Sequence, residues 1–217
     1  MTFASREEAG RRLGRLLRDE GVEVDLVLGL PRGGVIVAAE VARELQRPLD
    51  VLIVRKIGHP FHREFAVGAL AEPDVVILDE YSLGSSLGTR SHLDRIIAEE
   101  TQRLKEYRGK FHGAGVPELA GKAVLLVDDG LATGATTEAA VLAAKKRGAA
   151  KIIVATPVAS VAAFQRLRRA ADEVKALWVD PDFEAVGQYY RVFNQTSDEE
   201  VLVALREWEV HGGEHAA

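Results

Sequence analysis

Fourteen residues, Val124 to Thr137, constrain this chain most: Val-Leu-Leu-Val, then Asp128-Asp129, then Gly-Leu-Ala-Thr-Gly-Ala-Thr-Thr. The unbroken apolar run predicts a strand buried on both faces of a parallel sheet. A turn of small residues follows, and then a helix from about Thr136 to Arg147, stopped by Gly148. In a parallel sheet the end of a strand and the start of the next helix meet at the ligand crevice. There the helix offers unpaired N–H groups and the positive end of its dipole, which together bind phosphate. Asp128 and Asp129 would repel a phosphate, so their partners must be hydroxyl donors or a cation. A ligand with a phosphate at one end and a diol a few Å away, such as a ribose 5-phosphate unit, satisfies both halves. The bland alternative is a tight turn whose acids cap nearby amides. Other phosphate motifs fail: no Lys follows Gly134 as a Walker A loop requires, and Gly-x-Gly-x-x-Gly is absent here.

The same strand, glycine turn, helix, strand pattern occurs earlier. Asp25 to Leu30 reads as a strand, Pro31-Arg32-Gly33-Gly34 breaks it, Val35 to Leu45 reads as a helix, and Leu49 to Val54 as a second strand. Lys151 to Ala155, closed by Pro157, and Glu173 to Val179 supply two more strands, with a helix at about Val161 to Ala171 between them. Ser5 and Glu8 stand at capping-box spacing before an opening helix, as do Ser197 and Glu200 before a closing one. Alternating strands and helices predict an α/β fold: a doubly wound, mostly parallel sheet with helices on both faces. Residues 56–117 read as an insertion containing two strands (66–71 and 75–79) and a polar helix (90–107). We expect residues 1–217 to form one domain, with a small hood at about 180–210.

The bulk numbers exclude several classes. A formal net charge of -5 and a pI near 5.7 argue against a nucleic-acid binder. The absence of Cys removes thiolate metal sites, disulfides and a Cys nucleophile. No apolar run reaches the roughly 20 residues of a membrane span. The charged start, Ser5-Arg6-Glu7-Glu8, is unlike a secretory signal, so a cytoplasmic protein is expected. His59 and His62 lie in a Gly/Pro-containing segment far from the other histidines, and a solvent loop explains them better than zinc does. The helix at 90–107 reads as a solvated face with i,i+4 ion pairs.

The segment Val124 to Thr137 resembles the phosphoribosyl-pyrophosphate (PRPP) signature of type I phosphoribosyltransferases: hydrophobic strand, acid pair, then Ala-Thr-Gly-x-Thr. The resemblance implies that Asp128 and Asp129 hold the ribose hydroxyls and, through these or water, Mg²⁺. It also implies that the loop Gly130, Leu131, Ala132, Thr133, Gly134, Ala135 and Thr136 holds the 5-phosphate. Pro31-Arg32-Gly33-Gly34 resembles the family's pyrophosphate loop, where a cis non-proline peptide would fall at Pro31–Arg32. Arg55 and Lys56 would meet the pyrophosphate with Pro31, Arg32 and Gly33, and Gly58 to Ala66 would belong to a mobile closing loop. Further features shared with a bacterial group of predicted phosphoribosyltransferases are Val54-Arg55-Lys56-Ile57-Gly58, Gly68-Ala69, Tyr107-Arg108-Gly109 and Gln195 to Glu200; they name no acceptor.

The activity implied is Mg²⁺-dependent transfer of the 5-phosphoribosyl group of PRPP to a nitrogenous base or amine, with Asp128, Asp129, Arg32 and Lys56 as catalytic residues. In the family's hypoxanthine and guanine enzymes an Asp handles the purine proton at the position of Ala132, so a 6-oxopurine acceptor is disfavoured. Phe183 and Tyr190, from the aromatic cluster at 180–193, are the candidate acceptor contacts, with core packing as the competing explanation. The expected partners are PRPP and a small acceptor, without nucleic acid or membrane, and a homodimer is the candidate assembly. The alternative function is a PRPP- or nucleotide-binding regulator of the same fold that does not turn over.

Overall fold

The computed structural model describes residues 1–59, 62–72, 75–78, 87–112 and 115–212. In chain order the elements are α1 (Arg6–Asp19), β1 (Leu26–Gly29), α2 (Gly33–Leu45), β2 (Leu49–Val51), β3 (Val54–His59), β4 (His62–Ala71), β5 (Val75–Leu78), α3 (Leu87–Phe111), β6 (Ala123–Val127), α4 (Ala135–Lys146), β7 (Lys151–Ser160), α5 (Val161–Ala170), β8 (Glu173–Asp180), a 3-10 turn (Val186–Tyr189) and α6 (Asp198–Gly212). Five strands form a parallel sheet in the order β2-β1-β6-β7-β8, with Leu28 opposite Leu126 and Leu126 opposite Val154.

Side chains alternate across this sheet and make two cores. Leu26, Leu28, Val124, Leu126, Ile152 and Val154 face Ala140, Val141 and Ala144 of α4 and Ala163 and Leu167 of α5. Val27, Leu125, Val127, Ile153 and Ala155 face Leu13 and Leu17 of α1 and Val37 and Val41 of α2. Each such fully buried large side chain contributes about 1.5–3 kcal/mol, which fixes the helices on both faces and aims the β1 and β6 loops at one edge. Ser5 caps α1, accepting from the Glu8 N–H, and Ser197 and Glu200 bond reciprocally at the start of α6.

Three expectations need correction. β7 does not stop at Pro157 but runs to Ser160. Its pairing with β6 ends at Ala155, so the missing Pro N–H costs no ladder bond on that side. Helix α3 is longer than 90–107, at Leu87–Phe111. The segment expected to be a mobile loop is largely strand: β3 and β4 form an antiparallel ribbon with β5, pairing Gly58 with Ala66 and His59 with His62 through register shifts. The side chains of 59–66 lie outside the described residues. Among the described residues no helix is long and apolar enough to cross a membrane.

The antiparallel ribbon is tied to the parallel sheet by a buried polar cluster. Glu72 is fully buried, accepting from the Ile53 N–H at 2.8 Å through Oε1 and lying 2.8 Å from His112 Nε2 through Oε2. His112 Nδ1 is 3.2 Å from Asp50 Oδ1. Burial alone would push His112 down, but the two carboxylates outweigh it and raise it to about 9. A folded-state value above the unfolded one, about 6.5, means that this clamp is fully present below about pH 6.5 and is lost as pH rises through about 9. We expect His112→Gln to lower stability in denaturant unfolding at pH 6, and much less above pH 9.

Candidate active site at the carboxyl edge of the sheet

Val127 ends β6 at the sheet's centre, and Asp128 and Asp129 follow directly. Asp128 Oδ1 accepts from the Asp129 N–H at 2.9 Å, and Oδ2 accepts from the Thr137 hydroxyl at 3.2 Å. Burial and then the neighbouring Asp129 charge push Asp128 up to about 7, against those two donors. Asp129 Oδ2 accepts from Arg6 Nε at 2.7 Å. Burial raises Asp129 too, and Arg6 opposes it. A ligand that needs a carboxylate there should bind more weakly as pH falls through about 7. We expect the affinity of such a ligand, measured by calorimetry, to fall toward tenfold per pH unit below that point, and Asp128→Asn to flatten the dependence.

The glycine pair explains how α2 reaches the acids. A Cβ on Gly33 would lie 2.0 Å from Asp129 Oδ2 and 2.7 Å from Arg6 Nε. One on Gly34 would lie 2.8 Å from the Val127 carbonyl oxygen. Gly33 therefore packs directly against Asp129. The preceding Pro31–Arg32 peptide is cis.

Beyond the acids, Gly134 adopts φ 71° and α4 begins at Ala135. The Glu138 N–H makes the first helical bond, to the Gly134 carbonyl, and no main-chain carbonyl among the described residues accepts from Thr136 or Thr137. These free amides and the helix dipole are what an anion requires. The expected nest narrows by one residue. Leu131 is buried and donates its N–H to the Val158 carbonyl at 2.9 Å, so its amide is already used.

Arg55, Lys56, Pro31 and Thr136 meet around a cavity of about 410 Å³. Lys56 is exposed and makes no ion pair among the described residues. Arg32 does not line that cavity. Its Nη1 lies 3.6 Å from Asp198 Oδ1 at the start of α6, and Lys110 Nζ lies 2.7 Å from the other carboxylate oxygen.

Tyr190 is not an open acceptor face. It is 6% exposed, its hydroxyl donates to the Asp129 carbonyl at 2.6 Å, and its ring packs between Phe3 and Phe193 with centroids 5.5 and 5.0 Å away. Burial first, then the Asp129 charge, pushes its hydroxyl far up, so it remains a donor. Packing won because the Phe3 segment pairs with Tyr190 and closes over it. Phe183 stacks on Tyr189, with centroids 5.4 Å apart. Sequence reasoning missed Arg6, which bonds Asp129 and the Asn194 carbonyl while stacking 4.0 Å over Phe193. It also missed Asp198. No local signal marks Arg6, since its partner is 123 positions away.

A parallel sheet thus carries an acid pair and unpaired helix amides at its carboxyl edge. The sequence profile of the phosphoribosyl transferase domain matches residues 5–191, and the chain belongs to that family. It is 43% identical over 205 residues to a Mycobacterium tuberculosis protein, known from two strains, that bears the name "Putative phosphoribosyl transferase". That match covers 94% of this chain and 46% of the relative, so the chain spans about half the length of the curated relatives it matches. The crystal structure of TT1426 from Thermus thermophilus superimposes with a TM-score of 0.83 at 44% identity, covering 96% of this chain and 99% of the other.

Proposed function

We propose that this protein transfers the 5-phosphoribosyl group of PRPP to a nitrogenous base or amine and releases pyrophosphate. The observation that carries this reading is the adjacency of Asp128 and Asp129 to the free amides of Thr136 and Thr137, beside a cavity bearing Arg55 and Lys56. The acids accept from the ribose hydroxyls, and the Ala132–Thr136 turn with its threonine hydroxyls takes the 5-phosphate. The C1–O bond to pyrophosphate breaks and a C1–N bond forms, while the acceptor nitrogen gives up a proton. Lys56 and Arg55 stabilise charge on the departing group, and Arg32 joins them by leaving Asp198. The carboxylates lie beside the sugar as positive charge develops on it.

Among the described residues no group of three or more His, Cys, Asp or Glu is placed to hold a metal. Mg²⁺ nonetheless suits this donor set, because it takes one or two carboxylates and completes its shell with water and substrate phosphate. Asp128 and Asp129 would hold it, and it would add positive charge beside the leaving group. Ala132 offers no proton acceptor within the phosphate loop, which favours acceptors other than 6-oxopurines. The site would work in the cytoplasm.

The test is pyrophosphate release from PRPP with a panel of bases and amines. Turnover with one acceptor supports the reading. Tight PRPP binding without release for any acceptor replaces the enzyme with a non-catalytic sensor.

A further inference from the structure

Helix α3 adds charges to the cavity that Pro31, Lys56 and Thr136 line, namely Glu99, Glu100 and Arg103. Glu100 is the centre of the group. Its side chain is only 13% exposed, yet it binds two guanidinium groups: Arg55 Nε at 2.8 Å through Oε2 and Arg103 Nη1 at 2.6 Å through Oε1. Arg103 lies one turn beyond Glu100 on the same helix and is 56% exposed. Arg55 comes from β3 and also lies 5.7 Å over the Tyr107 ring.

Three cations, Arg55, Lys56 and Arg103, therefore border one cavity of about 410 Å³. In the absence of an anion they repel one another, and Glu100 offsets that repulsion by bridging two of them. A planar guanidinium that pairs with a carboxylate is equally suited to two phosphate oxygens.

We propose that Arg103 is a third cation of the leaving-group subsite, and that Glu100 is the counterion holding Arg55 and Arg103 there until a diphosphate arrives. This rests on the transferase reading above. When the diphosphate enters, both guanidinium groups exchange a carboxylate oxygen for a phosphate oxygen. Glu100 then stands as an unpaired negative charge beside the anion and favours its release. A purely structural ion pair stapling α3 to β3 predicts instead that Arg103→Gln loosens the helix and weakens both ligands alike.

The experiment is calorimetric titration of the full chain with inorganic pyrophosphate, and separately with ribose 5-phosphate, at one fixed salt concentration. Arg103→Gln should weaken pyrophosphate about tenfold, the loss of one charge-assisted contact. Glu100→Gln should tighten it about threefold by removing the competing carboxylate. Ribose 5-phosphate, which lacks the leaving group, should change less than about twofold in either variant and so reports intact folding. Unchanged pyrophosphate binding in both variants, with the wild type binding both ligands, overturns this inference and leaves the transferase reading standing. Parallel loss of both ligands in Arg103→Gln likewise overturns it in favour of the staple. A wild type that binds neither ligand removes the transferase reading and this inference with it.

Discussion

Asp129→Asn is expected to lower kcat/KM for PRPP by about 10²- to 10³-fold, roughly 3–4 kcal/mol of transition-state stabilisation. The proposed ribose hydroxyls bond a charged acceptor in the native protein, and charge-assisted bonds are about twice as strong as neutral ones. Asparagine keeps the shape, so the loss reads charge rather than packing. Stability should change far less. Arg6 loses its direct partner but keeps the field of Asp128, and two half-buried acids no longer repel. The pH profile supplies a second readout. Asp128 sits at about 7 because of burial and then the charge of Asp129. Removing that charge must move Asp128 down, so the acid limb of the pH–rate profile should shift to lower pH. An Asp129 that only staples Arg6 would lower stability and leave that limb in place.

Gly33→Ala should be the most damaging substitution of a residue with no functional group. The new methyl would stand 2.0 Å from Asp129 Oδ2 and 2.7 Å from Arg6 Nε, so the carboxylate must move by about an ångström. Displacements of that size at a reacting centre cost about 10²-fold in rate. The backbone itself would accept alanine, since Gly33 opens α2 without a positive φ. Gly109→Ala provides the control. It lies within α3 with nothing within 4 Å of its would-be Cβ, and should gain up to about 1 kcal/mol in helix propensity without affecting PRPP turnover. Loss of PRPP binding in Gly33→Ala with an unchanged Tm would place the effect at Asp129. Equal turnover in the two alanine variants would mean that the acid pair does not touch the sugar.

The parts of the site that were legible in the sequence are those made by consecutive residues. β6, its acids and the turn into α4 occupy one stretch, so an unbroken apolar run and small residues were enough to read them. The doubly wound sheet followed from the same local patterns repeated along the chain. The remainder depended on long-range packing. Arg6 belongs to the first turn of α1 and looks like any solvated charge, until Asn194 and Phe193 close around it. Tyr190 looked like a stacking platform because an aromatic cluster does not reveal which faces are covered, and here Phe3 and Phe193 cover them. The phosphate-turn pattern of Gly33 and Gly34 does not reveal a second demand on their size, the close approach of α2 to the acids. The ribbon β3–β4 hid because Gly58 and Pro60 carry loop signals, while the pairing partner sits at Ala66 and beyond.

The most direct measurement is a crystal structure of the protein with PRPP bound. Both ribose hydroxyls should lie within hydrogen-bond distance of the Asp128 and Asp129 carboxylates, the 5-phosphate on the Ala132–Thr136 turn, and the pyrophosphate beside Lys56. PRPP bound elsewhere, with Arg6 still closed on Asp129 and the α4 amides untouched, would contradict this placement.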